Sequence, residues 1–392
     1  MKYSAINIGP IISTLGMARK PRELWAASFL FSHLMKCIYS EVEKTGMAII
    51  SPAKPKQDKN KVGIYPDRIY IKGDFDVKKV LNEAVANFYF DLHGDGQRNS
   101  NNPDLDYFNL MSASCEAEKE SKAIADLNQK LDVMEICNFA ADKDAAQTIY
   151  KIISKKVFSS LFQIATGEDK LPIPDLEAIA RSQLDAHPEI KMKSHHKYCC
   201  IVQADGDNVG KTVSHEGLND GEVLKISEAL VDFGVKATTI IEEFGGLPIY
   251  AGGDDLLFIS PVIGKDGTHI FNLLEDIENK AFQGVHDAVE ALKLKDDKGK
   301  EIEASLSFGV SINYHKHPLY EALESARHLL FGKAKNINEK KAVACCLRKH
   351  SGGTFEAAFS LKDKDLKQQF AELINSTTDN DTVSAIAHKI RQ

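Results

Sequence analysis

Two short acidic runs in this chain have the residue types for metal-dependent phosphoryl chemistry: ADGDNVGK at 204–211 and AGGDD at 251–255. Each borders an apolar run of strand character, YCCIVQ before the first and LLFIS after the second. If those strands lie side by side, Asp205 and Asp254 converge at the strand ends, with Asp255 beside them. Carboxylates brought that close repel one another unless a cation neutralises them. Hard oxygen donors suit Mg²⁺ or Mn²⁺, with triphosphate oxygens completing the shell. Two such ions would lower the pKa of an attacking 3′-hydroxyl and stabilise a pyrophosphate leaving group. Gly252 and Gly253 allow positive φ and a tight turn, and leave room for a phosphate or base at the backbone. Either motif alone is more often a plain turn or hairpin. The two together, each flanking a buried strand, point to catalysis. Asp207 stays open between a ligand on the strand face of Asp205 and a turn former after Gly206.

The elements that must position these groups follow from periodicity. Residues 3–8, 47–51 and 68–72 read as strands, and 20–44 and 75–90 as helices. The order strand–helix–strand–strand–helix opens a small α/β unit. Residues 51–63 (SPAKPKQDKNKVG) read as a polar, basic loop, and 91–110 as loop. Residues 115–195 are mostly helical in pattern, broken at Pro172 and Pro174, with Asp175 as a helix cap. From Tyr198 a second block begins: a strand, a helix over 217–244, a hairpin over 247–260 and a helix over 268–294. A strand over 304–313, a helix over 318–335 and a strand over 342–348 follow. The two blocks share an opening order and so read as distant repeats of one unit. The last forty or so residues look helical.

The 392 residues allow two or three domains. With 43% apolar and 27% charged residues and a net charge of -7, the chain has the composition of a soluble globular protein without a global basic field. No window approaches the roughly 18 apolar residues of a membrane span. The N-terminus has no signal-peptide pattern. The seven cysteines form no C-x-x-C pair, so neither a disulfide framework nor a zinc ribbon is expected. Cys199 with Cys200 and Cys345 with Cys346 read as buried thiols, and a cytoplasmic, reducing compartment fits.

Four segments, YCCIVQADGDNVGK, LPIYAGGDDLLFIS, SLSFGVSINYHKHPLYEALESARHLLFGKAK and AVACCLRKHSGG, resemble in order the active palm of the large subunit of type III CRISPR effector complexes, closest to the Cmr (III-B) branch. INIGPIISTLGMARKPRELWAASFLFSHLM, with YPDRIYI later, resembles that family's first, degenerate palm. The resemblance implies an α/β fold with two ferredoxin-like palms, the second cyclase-like. It divides the chain into a degenerate palm (1–92), a mostly helical middle (93–195), an active palm (196–355) and a short helical C-terminal segment (356–392). It implies metal binding by Asp205, Asp254 and Asp255, and nucleotide binding by Gly206, Gly252, Gly253, Ser307 and Lys335. Lys333 competes with Lys335, and Ser307 is equally plausible as a plain strand residue. The implied partners are other Cmr-type CRISPR subunits, guide RNA, target RNA and ATP, with no membrane.

The implied activity is target-RNA-activated nucleotidyl transfer from ATP with Mg²⁺ or Mn²⁺. The product is a cyclic oligoadenylate, or an AMP conjugate of S-adenosylmethionine. The alternatives are a catalytically silent scaffold and a stand-alone dinucleotide cyclase. Asp255-Leu256 stands where diguanylate cyclases carry Glu-Phe. No HD nuclease domain is read: His286-Asp287 is expected on a helix surface, and Asp91-Leu92-His93-Gly94-Asp95 in a polar loop rather than at a metal. Asn7 stands where the first palm would carry an acid, with Tyr65-Pro66-Asp67-Arg68 in place of its hairpin motif. That palm is expected to complete the ATP pocket. Trp25 is expected in the core, and the basic stretch 54–61 as a solvated loop rather than an RNA contact.

Overall fold

The computed structural model describes residues 1–56, 61–94, 107–137, 155–167, 173–338 and 340–362. Strand β1 (Lys2–Gly9) leads through the short helix α1 (Ile11–Gly16) into the long α2 (Pro21–Lys44). Pro21 opens α2, where a missing N–H costs nothing. Leu24, Trp25, Leu30, Leu34 and Ile38 are each at most 1% exposed, and each such burial stabilises by about 1.5–3 kcal/mol. Strands β2 (Ala48–Ser51) and β3 (Arg68–Lys72) and helix α3 (Val77–His93) follow. Asp76 caps α3 by accepting from the Lys79 N–H.

The first sheet does not stop at residue 92. Strand β4 (Asn109–Glu116) pairs antiparallel with β1 along its whole length, giving the order β2-β3-β1-β4. This segment was expected to be loop and then helix. Its run NLMSASCE is polar on alternate positions because one face is solvated, so it lacks a continuous apolar signal. Likewise, residues 91–93 belong to the last turn of α3 rather than to a loop. Beyond β4 come α4 (Glu120–Cys137), α5 (Lys155–Thr166) and the short α6 (Leu176–Ala180) and α7 (Ser182–Ala186). Asp175 caps α6 through the Ala178 N–H at 2.8 Å, as read from the sequence.

The second sheet is built from β5 (Tyr198–Asp207), β6 (Leu247–Gly252), β7 (Asp255–Pro261), β8 (Ser305–Tyr314), β9 (Ala342–Arg348) and β10 (Thr354–Ser360), in the order β10-β9-β8-β5-β7-β6. Its helices are α8 (Val209–Val213), α9 (Glu222–Phe244), α10 (Ile270–Asp276), α11 (Gln283–Glu290) and α12 (Leu319–Gly332). A π-turn at Ile277–Ala281 joins α10 to α11. Strand β10 overturns the helical reading of the segment from 356: Glu356, Ala357 and Ala358 pair with Cys346, Cys345 and Ala344. Residues 363–392 lie outside the described residues. The inner four strands, β8-β5-β7-β6, repeat the order β4-β1-β3-β2 of the first sheet. Both are the 4-1-3-2 antiparallel arrangement of a ferredoxin-like βαββαβ unit, so the chain has the α/β fold read from its sequence.

The two units are packed together. Cys199, Ile201, Leu257 and Ile259 of the second sheet share one apolar cluster with α2. Ser28 on α2 donates to the Ile249 carbonyl at 2.9 Å, and the Ala251 N–H donates to the Gly63 carbonyl at 2.9 Å. Trp25 is core, as expected. Its ring stacks between Phe29 and Phe162, and its N–H donates to the Lys61 carbonyl. Cys199, Cys200, Cys345 and Cys346 are buried free thiols. No described helix is long and apolar enough to cross a membrane.

Candidate active site

Strands β5 and β7 are paired antiparallel up to Ala204 and Leu256, so one further step sets Asp205 opposite Asp255. Between β6 and β7 the chain turns in two residues, Gly253 and Asp254, with Gly253 at φ +63°. Of the two glycines, Gly253 alone needs the left-handed conformation. Gly252 is required for another reason: a Cβ there would collide with the phenol of Tyr250. Gly206 is held by the same crowding. A Cβ on it would lie 2.7 Å from both Cβ and Oδ2 of Asp254. The hairpin therefore lays Asp254 directly over the end of β5, beside Asp205.

The electrostatics of this corner are unbalanced. Burial, then the Asp205 carboxylate, push the Asp254 carboxyl up to about 7. Burial and the carboxylates of Asp254 and Asp205 drive Asp255 well above the usual range. Asp67, from the loop leading into β3 of the first unit, adds to the repulsion on both. Among the described residues, no Lys, Arg or His forms an ion pair with Asp254 or Asp255. A compact set of oxygen donors with surplus negative charge fits a hard divalent cation such as Mg²⁺.

On the other side of Asp205 the charge is met. Lys335 lies in a 3₁₀ turn, Ala334–Asn336, just past α12. Its ammonium pairs with the Asp205 carboxylate, lies 3.0 Å from Asp207 Oδ1, and donates to the carbonyls of Asp205 and Gly206 at 3.0 and 2.7 Å. Burial alone would lower its pKa, but the two carboxylates outweigh burial and raise it. Lys333 points elsewhere, into an ion pair with Glu356 on β10. Of the two lysines, Lys335 is the one that lies beside Asp205.

Asp207 is neither a turn former nor exposed to a ligand. Strand β5 runs through Gly206 to include it, and it is 1% exposed. Its Oδ2 accepts from Ser305 Oγ, Ser307 Oγ and the Lys341 N–H at 2.9, 2.8 and 3.0 Å. Ser307 is itself fully buried. Its hydroxyl donates to Asp207 and accepts from the Ala342 N–H, which places it behind the acidic corner as an inner support of Asp207. The chain of charge continues inward. Lys341 pairs with Glu278 at 3.0 Å, and Glu278 accepts from the Leu306 N–H at 2.8 Å. Glu278 rides on the π-turn, a distortion that often marks functional positions. Sequence reasoning missed Lys341 and Glu278. A lysine pair before a strand and an acid in an amphipathic helix carry no local sign of partners 134 and 28 residues away.

The first unit has a different solution at the corresponding corner. Asn7 is paired across the ladder with Arg68. The Arg68 guanidinium lies 2.7 Å from Asp132 and 3.1 Å from Glu135, and donates to Asn128 at 3.0 Å. Asn7 donates to Glu135. A protein cation occupies the position where the second unit leaves carboxyls uncompensated. Two stretches elsewhere lie at the surface. His286 and Asp287 interact with Glu290 and Gln283 on one helix. Lys54 and Lys56 are paired with Glu43 and Asp232, while residues 57–60 lie outside the described residues.

Comparison with known proteins follows the same division. Residues 198–344 match the family model described as Cas10/Cmr2, second palm domain. Residues 3–89 match that of CRISPR-associated protein Cmr2, N-terminal. A curated relative, CRISPR system Cmr subunit Cmr2 of Pyrococcus furiosus, is 33% identical over 41% of this chain and 19% of its own length. The chain thus spans about a fifth of that relative. The fold is shared with a type III-B Cmr-beta complex in its apo state: TM-score 0.55, 11% identity, 92% of this chain and 70% of that one. It is also shared with a Csm1–Csm4 cassette in complex with cA4: TM-score 0.54, 13% identity, 87% of this chain and 53% of that one.

Proposed function

The chain belongs to the Cas10/Cmr2 family, and from that premise we propose that it is the nucleotidyl-transferring subunit of a type III-B CRISPR effector complex. In this reading target RNA switches it on, and ATP is built into a small second messenger in antiviral defence. One observation carries the proposal: Asp205, Asp254 and Asp255 meet at the ends of paired strands, and Asp254 and Asp255 form no ion pair with a Lys, Arg or His among the described residues. These three side chains would hold Mg²⁺ or Mn²⁺. Such ions, when bound, lower the pKa of an attacking 3′-hydroxyl and neutralise the departing pyrophosphate.

The rest is positioning by this chain's own groups. Lys335 exchanges the Asp205 carboxylate for triphosphate oxygens, since both compete for one ammonium. Gly253 presents bare backbone at the turn and lets the nucleotide approach. Gly206 and Gly252 keep the hairpin low over β5 by having no side chains of their own. Asp207, Ser305 and Ser307 hold Lys335 and the start of β9 in register. The first unit closes the pocket with Pro66, whose Cβ would lie 3.9 Å from a Cβ placed on Gly253, and with Asp67. The two sheets then act as two palms, the first of them a scaffold, whose domains extend past 92 to β4 and past 355 to β10. The acceptor is a second ATP, giving a cyclic oligoadenylate, or S-adenosylmethionine, giving an AMP conjugate. The subunit works in the cytoplasm with other Cmr-type subunits, guide RNA and target RNA.

The test is reconstitution with those partners, guide and target RNA, Mg²⁺ and ATP, with and without S-adenosylmethionine, read by mass spectrometry. A product that appears only with target RNA, and disappears in an Asp254→Asn/Asp255→Asn double variant, is the expected result. Product surviving that double variant refutes the enzyme reading. No product from any assembly leaves the silent scaffold. Product from the isolated chain without RNA selects the stand-alone dinucleotide cyclase.

A further inference from the structure

Three different metal-ligating side chains of the first unit meet at one point, away from the carboxylates of the second. His33 and Cys37 stand four residues apart on α2 and so share a face. Asp91 comes from the last turn of α3. Their ligand atoms form a triangle: His33 Nε2 to Asp91 Oδ2 is 3.0 Å, Cys37 Sγ to the same Nε2 is 3.9 Å, and Sγ to the same Oδ2 is 4.0 Å. Around a tetrahedral Zn²⁺, bond lengths of about 2.0–2.3 Å give ligand-to-ligand edges of roughly 3.3–3.6 Å. Shifts of about half an ångström would therefore fit the triangle to such an ion.

A nucleophilic relay is ruled out by the same distances. Thiol and carboxylate both face Nε2, whereas a relay needs them on opposite ring nitrogens. The other nitrogen, Nδ1, is buried without a hydrogen-bond partner, so all the polar bonding of this ring is aimed into the cluster. His33 is 5% and Cys37 8% exposed, while the Asp91 side chain keeps 39% of its surface in water. Two ligands are thus preorganised in the core, and the third opens to solvent, where a water completes the shell and the ion enters. Burial, then Asp91, hold the Cys37 thiol far above its ordinary range, so without a cation it stays protonated. A divalent ion with one thiolate and one carboxylate is neutral as an assembly, which suits the edge of a core.

We propose that His33, Cys37 and Asp91 form a zinc-type site that clamps α2 to the end of α3. A thiolate–imidazole–carboxylate set selects a borderline-soft ion over Mg²⁺. The clamp bears on the proposed chemistry only indirectly: α2 is the helix on which β6, the first strand of the catalytic hairpin, rests through Ser28.

The test is a Co²⁺ titration of the full chain, purified reduced, stripped with chelator and held in excess Mg²⁺. The expected result is one equivalent bound with a thiolate-to-cobalt charge-transfer band in the near ultraviolet, displaced by Zn²⁺. Cys37→Ser removes the band. Asp91→Asn, at a position that keeps its contact with water and spares the core, weakens binding about tenfold or more. Asp254→Asn leaves the band unchanged, which separates this site from the proposed catalytic one. No band in the unaltered protein, or a band that persists in Cys37→Ser, overturns the proposal.

Discussion

Asp254 and Asp255 are half-buried acids held against a third, and that arrangement costs stability when no cation is present. Their folded pKa values lie above the unfolded ones, so between about pH 4 and 7 the folded state binds more protons than the unfolded. The stability of the metal-free protein therefore falls as pH rises through that window and is fully relieved only below it. Asp254→Asn should raise the melting temperature of the metal-free protein at pH 7.5, by about 1–2 kcal/mol in stability, less than full linkage because water still reaches the carboxyl. The same substitution should lower product formation by about a hundredfold or more. A variant that loses activity without gaining stability would show that these carboxyls do not repel. Asp207 predicts the opposite pattern. It accepts from four donors, all within the protein. Asp207→Ala takes one of two carboxylates from Lys335, leaves Ser305, Ser307 and the Lys341 N–H without their acceptor, and should destabilise by about 3 kcal/mol, measured by denaturant unfolding. Lys335→Met should instead raise the ATP concentration needed for half-maximal rate more than it lowers the rate itself.

At the scale of elements, the hairpin between β6 and β7 works because two backbones come unusually close. Gly206→Ala would place a methyl 2.7 Å from Asp254. The turn must lift, with a cost of about 1–3 kcal/mol and a loss of Mg²⁺ affinity that isothermal titration would register. Strand β4 carries a second test. A fragment ending at residue 92 leaves one edge of β1 unpaired and uncovers Tyr3 and Ala5, and should not unfold cooperatively. A fragment ending at 137 restores β4 and α4 and should. Cooperative unfolding of the shorter fragment would put the boundary back at 92. The same strand shows where sequence reading runs out. Periodicity finds strands that are apolar on one face or both, as in YCCIVQ. It passes over NLMSASCE, whose place in the sheet is settled by its partner β1 rather than by its own composition.

For the molecule as a whole, the junction between the units makes a ligand at one felt by the other. Trp25 is the single tryptophan. It sits on α2, and α2 packs on β6. Mg²⁺ with ATP at about a hundred times its dissociation constant should stabilise the chain by about 2.7 kcal/mol. If the units unfold as one, the Trp25 fluorescence transition should shift as far as the far-ultraviolet circular dichroism transition. A fluorescence midpoint that stays put while the other moves would show that the first unit melts independently.

What the linear order of residues determined by itself is local or repetitive. The strands around Asp205 and Asp254, the glycine turn, the α2 stripe, the Asp175 cap and the doubled α/β order each follow from chemistry within a few residues. What only the tertiary structure decided is pairing at a distance. Lys335 rather than Lys333 reaches Asp205, Ser307 turns inward to Asp207, and Glu278 anchors Lys341. Arg68 fills the corner in the first unit that stays acidic in the second, and Asp91 meets His33 and Cys37. A charged side chain shows its sign in a sequence but not its partner. The partner is selected when folding removes water and leaves each buried charge only the neighbours that the sheets bring within reach.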